Sequence, residues 1–188
     1  HHHILRMILQ CLSSEDRVIF LHTKLSALST SLHLIAGYEK TRETIKTVLE
    51  LVSEDQHHHL LSVQTTGLQE TPLHLVCEFY NSAVLEVIMS LVTSEQTRYK
   101  LLQIPNFPRM ILLHDAAMIN ATQAIRIIAH SVSSNHLIHL LTIIVEDGHT
   151  YVQRTATESK QEAEKLLQDY YTTAPIDIAL QQADETRK

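Results

Sequence analysis

Fourteen histidines and two cysteines are the residues of this 188-residue chain from which chemistry would start. His57, His58 and His59 are consecutive, and His33, His74 and His114 recur along the chain. Consecutive helical residues point in different directions, so the triplet makes a poor preformed metal site. Zinc sites favour Cys and His in spaced pairs with a fixed outer shell of hydrogen bonds. The recurring histidines lie about one repeat apart, too far to share an ion. We therefore expect no metal ligands: structural roles for His33, His74 and His114, and a solvated helix surface for the triplet. Cys77 follows His74 by three residues, and a Cys–His pair can be nucleophilic. No third residue or oxyanion donor is indicated, and a cysteine in a small-residue slot is expected to be buried and inert. Neither a P-loop, nor G-x-G-x-x-G, nor H-E-x-x-H occurs. The expectation is no catalytic residue and no cofactor.

The elements that must position these side chains repeat with a period of 40. Leu5, Ile45, Leu85 and Ile125 are spaced so; so are Ile8, Val48, Ile88 and Ile128; Leu9, Leu49, Met89 and Ala129; and Leu12, Val52, Val92 and Val132. Within each copy the order is i, i+3, i+4, i+7, one face of a helix. These four-residue stripes predict equivalent buried helices, here termed helix B. A fifth copy reads Ala163, Leu166, Leu167 and Tyr170. A preceding helix A is marked by Thr30-Ser31-Leu32-His33, Thr71-Pro72-Leu73-His74, Ile111-Leu112-Leu113-His114 and a worn Thr150-Tyr151-Val152-Gln153. After helix B come Ser-Glu-Asp-Arg at 14–17, Ser-Glu-Asp-Gln at 53–56, Ser-Glu-Gln-Thr at 94–97 and Ser-Ser-Asn-His at 133–136. A serine oxygen ahead of acidic or amide residues suits a helix N-cap, so a short helix C is predicted there. Turns follow at Thr66-Gly67, Asn106-Phe107-Pro108 and Asp147-Gly148.

Thr71-Pro72-Leu73-His74-Leu75-Val76-Cys77 resembles the ankyrin-repeat signature T-P-L-H-x-A-A. Thr71 suits a cap and Pro72 the first turn, where a missing N–H costs nothing. His74 is placed to bond backbone near Thr71 or in the adjacent repeat. Asp115-Ala116-Ala117 after His114 lies closer still to the pattern, and Ala174-Pro175-Ile176-Asp177-Ile178-Ala179-Leu180 resembles a terminal-repeat variant. The resemblance runs from about residue 4 to 181. It departs in length, since ankyrin units have about 33 residues. A period of 40 also suits HEAT repeats; the recurring Leu-His pair favours ankyrin. The resemblance implies an all-α, ankyrin-like helical solenoid of stacked helix pairs, with a short third helix and a protruding turn per repeat. The array would be a single domain over 1–188: a partial unit at 4–29, units at 30–70, 71–110, 111–149 and 150–173, and a C-terminal cap at 174–188.

It further implies a non-enzymatic protein-protein interaction module that grips a partner protein on its concave face. The family's variable positions map onto Tyr38, Glu78, Phe79, Met118 and Ile119 at helices A, and onto Gly67, Leu68, Phe107, Arg109 and His149 at the turns. Phe79, Phe107, Met118 and Ile119 are apolar where water is expected, a binding signal. The alternatives are that helix C buries them, or that the segment is a structural spacer of a longer array. Flat, polar helix-A faces would favour the spacer, and convergence of Cys77, His74 and an acid in a pocket would revive an enzyme.

Bulk composition narrows the classes further. Hydrophobic residues at 44% and charged residues at 19% suit a folded protein rather than a self-repelling chain. The formal charge of -6 opposes a nucleic-acid binder, which needs a basic face. No apolar run approaches the roughly 18 residues of a membrane span, so no membrane insertion is expected. Cys11 and Cys77 are read as reduced thiols of a cytoplasmic, intracellular protein. The sequon Asn120-Ala121-Thr122 is read as chance. His1-His2-His3 opens the chain in place of Met, suiting a purification tag or a monomeric fragment of a larger protein; both readings stand open.

Overall fold

The computed structural model describes residues 2–24, 29–38 and 41–143. Among them the protein is all-α: eleven helices, no strand, and one isolated bridge between Lys24 and Thr30. The order is α1 (His2–Cys11), α2 (Ser14–His22), α3 (Ser31–Gly37), α4 (Arg42–Leu51), α5 (Glu54–Leu61), α6 (Pro72–Glu78), α7 (Ser82–Leu91), α8 (Glu95–Leu102), α9 (Leu112–Met118), α10 (Thr122–Ser131) and α11 (Ser134–Thr142). Lengths repeat as faithfully as sequence. The A helices α3, α6 and α9 each have 7 residues, and the B helices α1, α4, α7 and α10 each have 10. Helices this short are marginal alone, so packing must hold them. Equivalent helices supply it: α3, α6 and α9 pack in one row, α1, α4, α7 and α10 in a second, α2, α5 and α8 in a third.

The core follows the B-helix stripe. Ile45, Leu85, Ile125, Val48, Ile88 and Ile128 are fully buried, as are Leu9 and Val92. One expectation fails: Ile8 is 44% exposed, whereas Val48, Ile88 and Ile128 are 0%. Among the described residues α1 has α4 on one flank only, whereas α4 and α7 are covered on both. Leu5 and Leu12 of the same helix are only partly buried for the same reason. The second correction concerns the histidine triplet. His59 is exposed, but His57 is 4% exposed. Its Nε2 lies 2.9 Å from the Leu49 carbonyl and 3.2 Å from that of Val52.

That contact belongs to a device that recurs in three units. A helix leaves its last carbonyls without partners, and a donor brought in from elsewhere can satisfy them. Helix C carries the donor four residues after its N-cap serine. Arg17 Nε donates to the Leu9 carbonyl at 2.6 Å and its Nη1 to that of Leu51, one unit on, at 2.9 Å. His57 does the same for α4. Arg98 Nη1 donates to the Val92 carbonyl at 2.6 Å, and its Nε to Ser131, one unit on, at 2.6 Å. Ser13 and Ser94 cap their C helices through Asp16 N–H and Thr97 N–H as expected, and the first cap is Ser13 rather than Ser14. Acids at the start of helix C then reach the next unit. Glu54 accepts from Ser94 N–H at 3.0 Å, and Glu95 from Ser133 N–H at 2.8 Å. Hydrogen bonds from the Ser133 side chain, then from its N–H and from His136, hold the Glu95 carboxyl down at about 2.

Two measurements check this account. Ile88→Ala should cost about 2–5 kcal/mol in denaturant unfolding, and Ile8→Ala under about 1 kcal/mol. Arg98→Met keeps the aliphatic stem but strands three carbonyls, and should cost about 2 kcal/mol in the same assay.

Candidate partner-binding face

The A helices present the best-built positions. The caps are Thr30, Thr71 and Ile111, the residues at which units 30–70, 71–110 and 111–149 open. In the first two, threonine and the histidine three residues on form a reciprocal capping box. Thr71 N–H donates to His74 Nδ1 at 3.1 Å, and Thr30 N–H to His33 Nδ1 at 3.2 Å. An Nδ1 that accepts carries no proton, so the ring hydrogen sits on Nε2 and faces the next unit. His33 Nε2 donates to the Glu70 carbonyl at 3.0 Å, thirty-seven residues away. His74 Nε2 faces the Met110 carbonyl without reaching good hydrogen-bond geometry, and lies 3.9 Å from Asp115 Oδ2. His114 is buried at the equivalent place.

The turns stack on one another. Thr65 N–H donates to the Glu70 carbonyl at 2.9 Å, and Asn106 N–H to that of Met110 at 2.9 Å. Phe107 N–H donates across to the Leu68 carbonyl at 2.7 Å, and Gln64 Nε2 to the Pro105 carbonyl at 2.7 Å. The left-handed residues at the tips are Gln69 and Arg109, with φ of 53° and 70°, not Gly67. Tyr80 and Asn120 at the A–B corners repeat the pattern with φ of 54° and 55°.

This frame gathers half of the ten residues singled out by sequence. Leu68, Glu78, Phe107, Met118 and Ile119 line one groove of about 260 Å³, together with Glu70, His74, Asn106, Met110 and Asp115. Tyr38, Leu68, Phe79, Phe107 and Met118 are exposed at 66%, 56%, 53%, 57% and 45%. Helix C therefore does not bury them. Tyr38, Phe79 and Ile119 are the C-caps of their helices, so they stand at the helix end and not along its face; Ile119 is half-buried. Tyr80 Oη donates to the Ile119 carbonyl at 3.1 Å, and Asn81 Nδ2 to that of Tyr38 at 3.1 Å, tying the corners of adjacent units. The Phe79 ring lies over Gly37, where an added Cβ would come within 3.2 Å of it. Gly67 and Arg109 are exposed at the tips but do not line the groove. His149 lies outside the described residues, as do the fifth B stripe, the Asp147-Gly148 turn, the worn helix A at Thr150 and the C-terminal cap.

Sequence reasoning missed Leu34 and Glu70. Leu34 is 43% exposed and precedes Tyr38 by one helical turn, so i, i+4 spacing would have found it. Glu70 is partly buried in the groove wall, and burial followed by the nearby Glu78 raises its carboxyl above the ordinary range.

The one cysteine near the groove is not accessible, and the exposed Cys11 lies away on α1. Cys77 is 1% exposed, and burial, with Asp115 adding to it, pushes its thiol far up. It lines a separate small cavity with Val76, Tyr80 and Ala121, while His74 and Asp115 line the groove. Both cysteines are free. Among the described residues no three His, Cys, Asp or Glu side chains converge as metal ligands, and no helix is long and apolar enough to cross a membrane. Compared with models of known protein families and with characterised proteins, the chain matches none.

The buried rings make stability depend on pH. Burial lowers His74 from 6.5 to about 4, and lowers His33 in the same direction. Between those values the unfolded chain takes a proton at His74 that the folded one refuses, so stability rises with pH. The contribution should be whole above pH 6.5 and drain as pH falls to about 4, His74 accounting for on the order of 3 kcal/mol. Denaturation curves across that window should slope so for the native chain. For His74→Ala they should be lower at neutral pH and flatter.

Proposed function

We propose that this chain is an ankyrin-like helical solenoid acting as a non-enzymatic protein-recognition module, gripping a partner protein on the concave face made by turn tips and helix-A ends. The observation that carries this reading is that exposed Leu68, Phe107 and Met118 line one groove, with Tyr38 and Phe79 exposed at the ends of α3 and α6. Scattered surface hydrophobics are ordinary; several lining one groove mark an interaction surface. Flat, polar helix-A faces would favour the spacer alternative; the exposed Leu34 on α3 and Met118 on α9 speak against polar ones. The Thr–His capping box in two units and the hydrogen-bonded turns favour the ankyrin-like over the HEAT-like reading, because a helix pair alone has no use for a stacked ribbon of tips. The inaccessible Cys77 supports a binding rather than a catalytic role.

Phe107→Ala with Met118→Ala tests the proposal better than a change at Phe79, whose ring also packs on Gly37. The double variant should melt close to the native chain, since such surface changes cost within about 0.5 kcal/mol each. Partner capture should weaken more than about tenfold if either residue anchors the contact. Affinity capture from cells that make this chain, with native and variant proteins compared by mass spectrometry and by circular-dichroism melts, reads both quantities. Proteins captured equally by both, from equally folded baits, would move the site elsewhere.

A further inference from the structure

Resting on the partner-binding reading above, we propose that the groove beside α6 and α9 receives a partner segment that carries a lysine or arginine flanked by apolar side chains. The groove is chemically two-sided. Leu68 and Phe107, from successive turn tips, and Met118, from the end of α9, supply apolar wall. Glu70 and Glu78 line the same groove, and Asp115 adds a third acid. Glu70 is half-buried and Glu78 is exposed on the same groove; burial, then the Glu78 charge, raises the Glu70 carboxyl above its ordinary range. Among the described residues neither Glu70 nor Glu78 enters an ion pair.

Two carboxylates that line one groove, one of them half-buried, repel each other, and a cation placed between them relieves that repulsion. Much of the desolvation that makes a buried pair costly has already been incurred by Glu70 in the free chain. The effective dielectric is lower there than in open water, so attraction for an ammonium or guanidinium is stronger. Arginine and lysine carry long aliphatic stems, which can lie along Leu68, Phe107 and Met118 while the head reaches the acids. The apolar neighbours of the cation would cover the rest of the wall. An anionic occupant, whether phosphopeptide or nucleic acid, meets the same carboxylates as repulsion. The chain's charge of -6 steers the encounter in the same sense.

Selection of displayed random short peptides against the full chain tests this, followed by anisotropy measurements on the enriched peptides at low and high salt. Enriched sequences should share a lysine or arginine between apolar residues. Glu70→Gln with Glu78→Gln should weaken them about tenfold and flatten the salt dependence, since removing one side of a partly buried charge pair has that scale. Phe107→Ala with Met118→Ala should weaken them as well. Both variants replace exposed or half-exposed groups, and melts confirm that they are folded. Neutral or acidic peptides that are lost on Phe107→Ala, Met118→Ala but indifferent to Glu70→Gln, Glu78→Gln would overturn the charge inference and leave the binding face standing. Enriched peptides indifferent to both variants, or no enrichment at all, would overturn the inference and the binding face together.

Discussion

A buried imidazole that must remain neutral joins each unit to the next. His33 and His74 each use Nδ1 inward, to accept from the N-cap threonine, and aim Nε2 outward at a carbonyl of the following turn. The His33 ring thus starts its own helix and holds the following turn in place. Only a neutral ring has one accepting and one donating nitrogen, so the same geometry that orders the unit expels the proton. A neutral imidazole offers an acceptor and a donor on opposite edges of a flat, compact ring. That is why a histidine stands at a place where composition alone would suggest an apolar residue.

Short helices impose the rest. A helix of 7 residues has more unpaired end groups than internal bonds, so each end needs an outside partner. The partners come from neighbouring units: Arg17 and Arg98 reach carbonyls of their own B helix and of the next, while Glu54 and Glu95 reach N–H groups one unit on. End-capping and stacking are therefore one set of contacts. A unit removed from its neighbours would lose both its apolar wall and the groups that close its helix ends. The exposure of Ile8, where one flank is open, marks how far a stripe depends on what lies beside it.

The turn tips show the complementary case. Their backbone is satisfied internally, Phe107 N–H on Leu68 O and Asn106 N–H on Met110 O, which frees the side chains of Leu68 and Phe107 from any structural duty. Side chains that the fold does not need can be set by what approaches from outside. The groove beneath them thus has hydrogen-bonded backbone walls and side chains open in their chemistry, a combination that suits recognition.

The residue types and spacing by themselves determined the helical elements, their period and the inner core. Ile45, Val48 and Leu49 repeat at Leu85, Ile88 and Met89 because a helix face has a fixed period, and that period is readable in one dimension. The cap of His74 on Thr71 was readable too, since both partners lie within one turn. Contacts between units were not readable. That Arg17 reaches Leu51, that Arg98 reaches Ser131, and that Leu68 and Phe107 line one groove depend on which units lie flush and at what offset. Nor did the mapped positions say that Phe79 and Ile119 stand at helix ends, or that Gly67 is spared the left-handed backbone taken by Gln69. Local sequence sets preferences over a few residues, whereas burial and charge at the groove come from side chains some forty residues apart. Only stacking brings those together, and so only the tertiary structure decided which of the apolar and acidic residues share a surface.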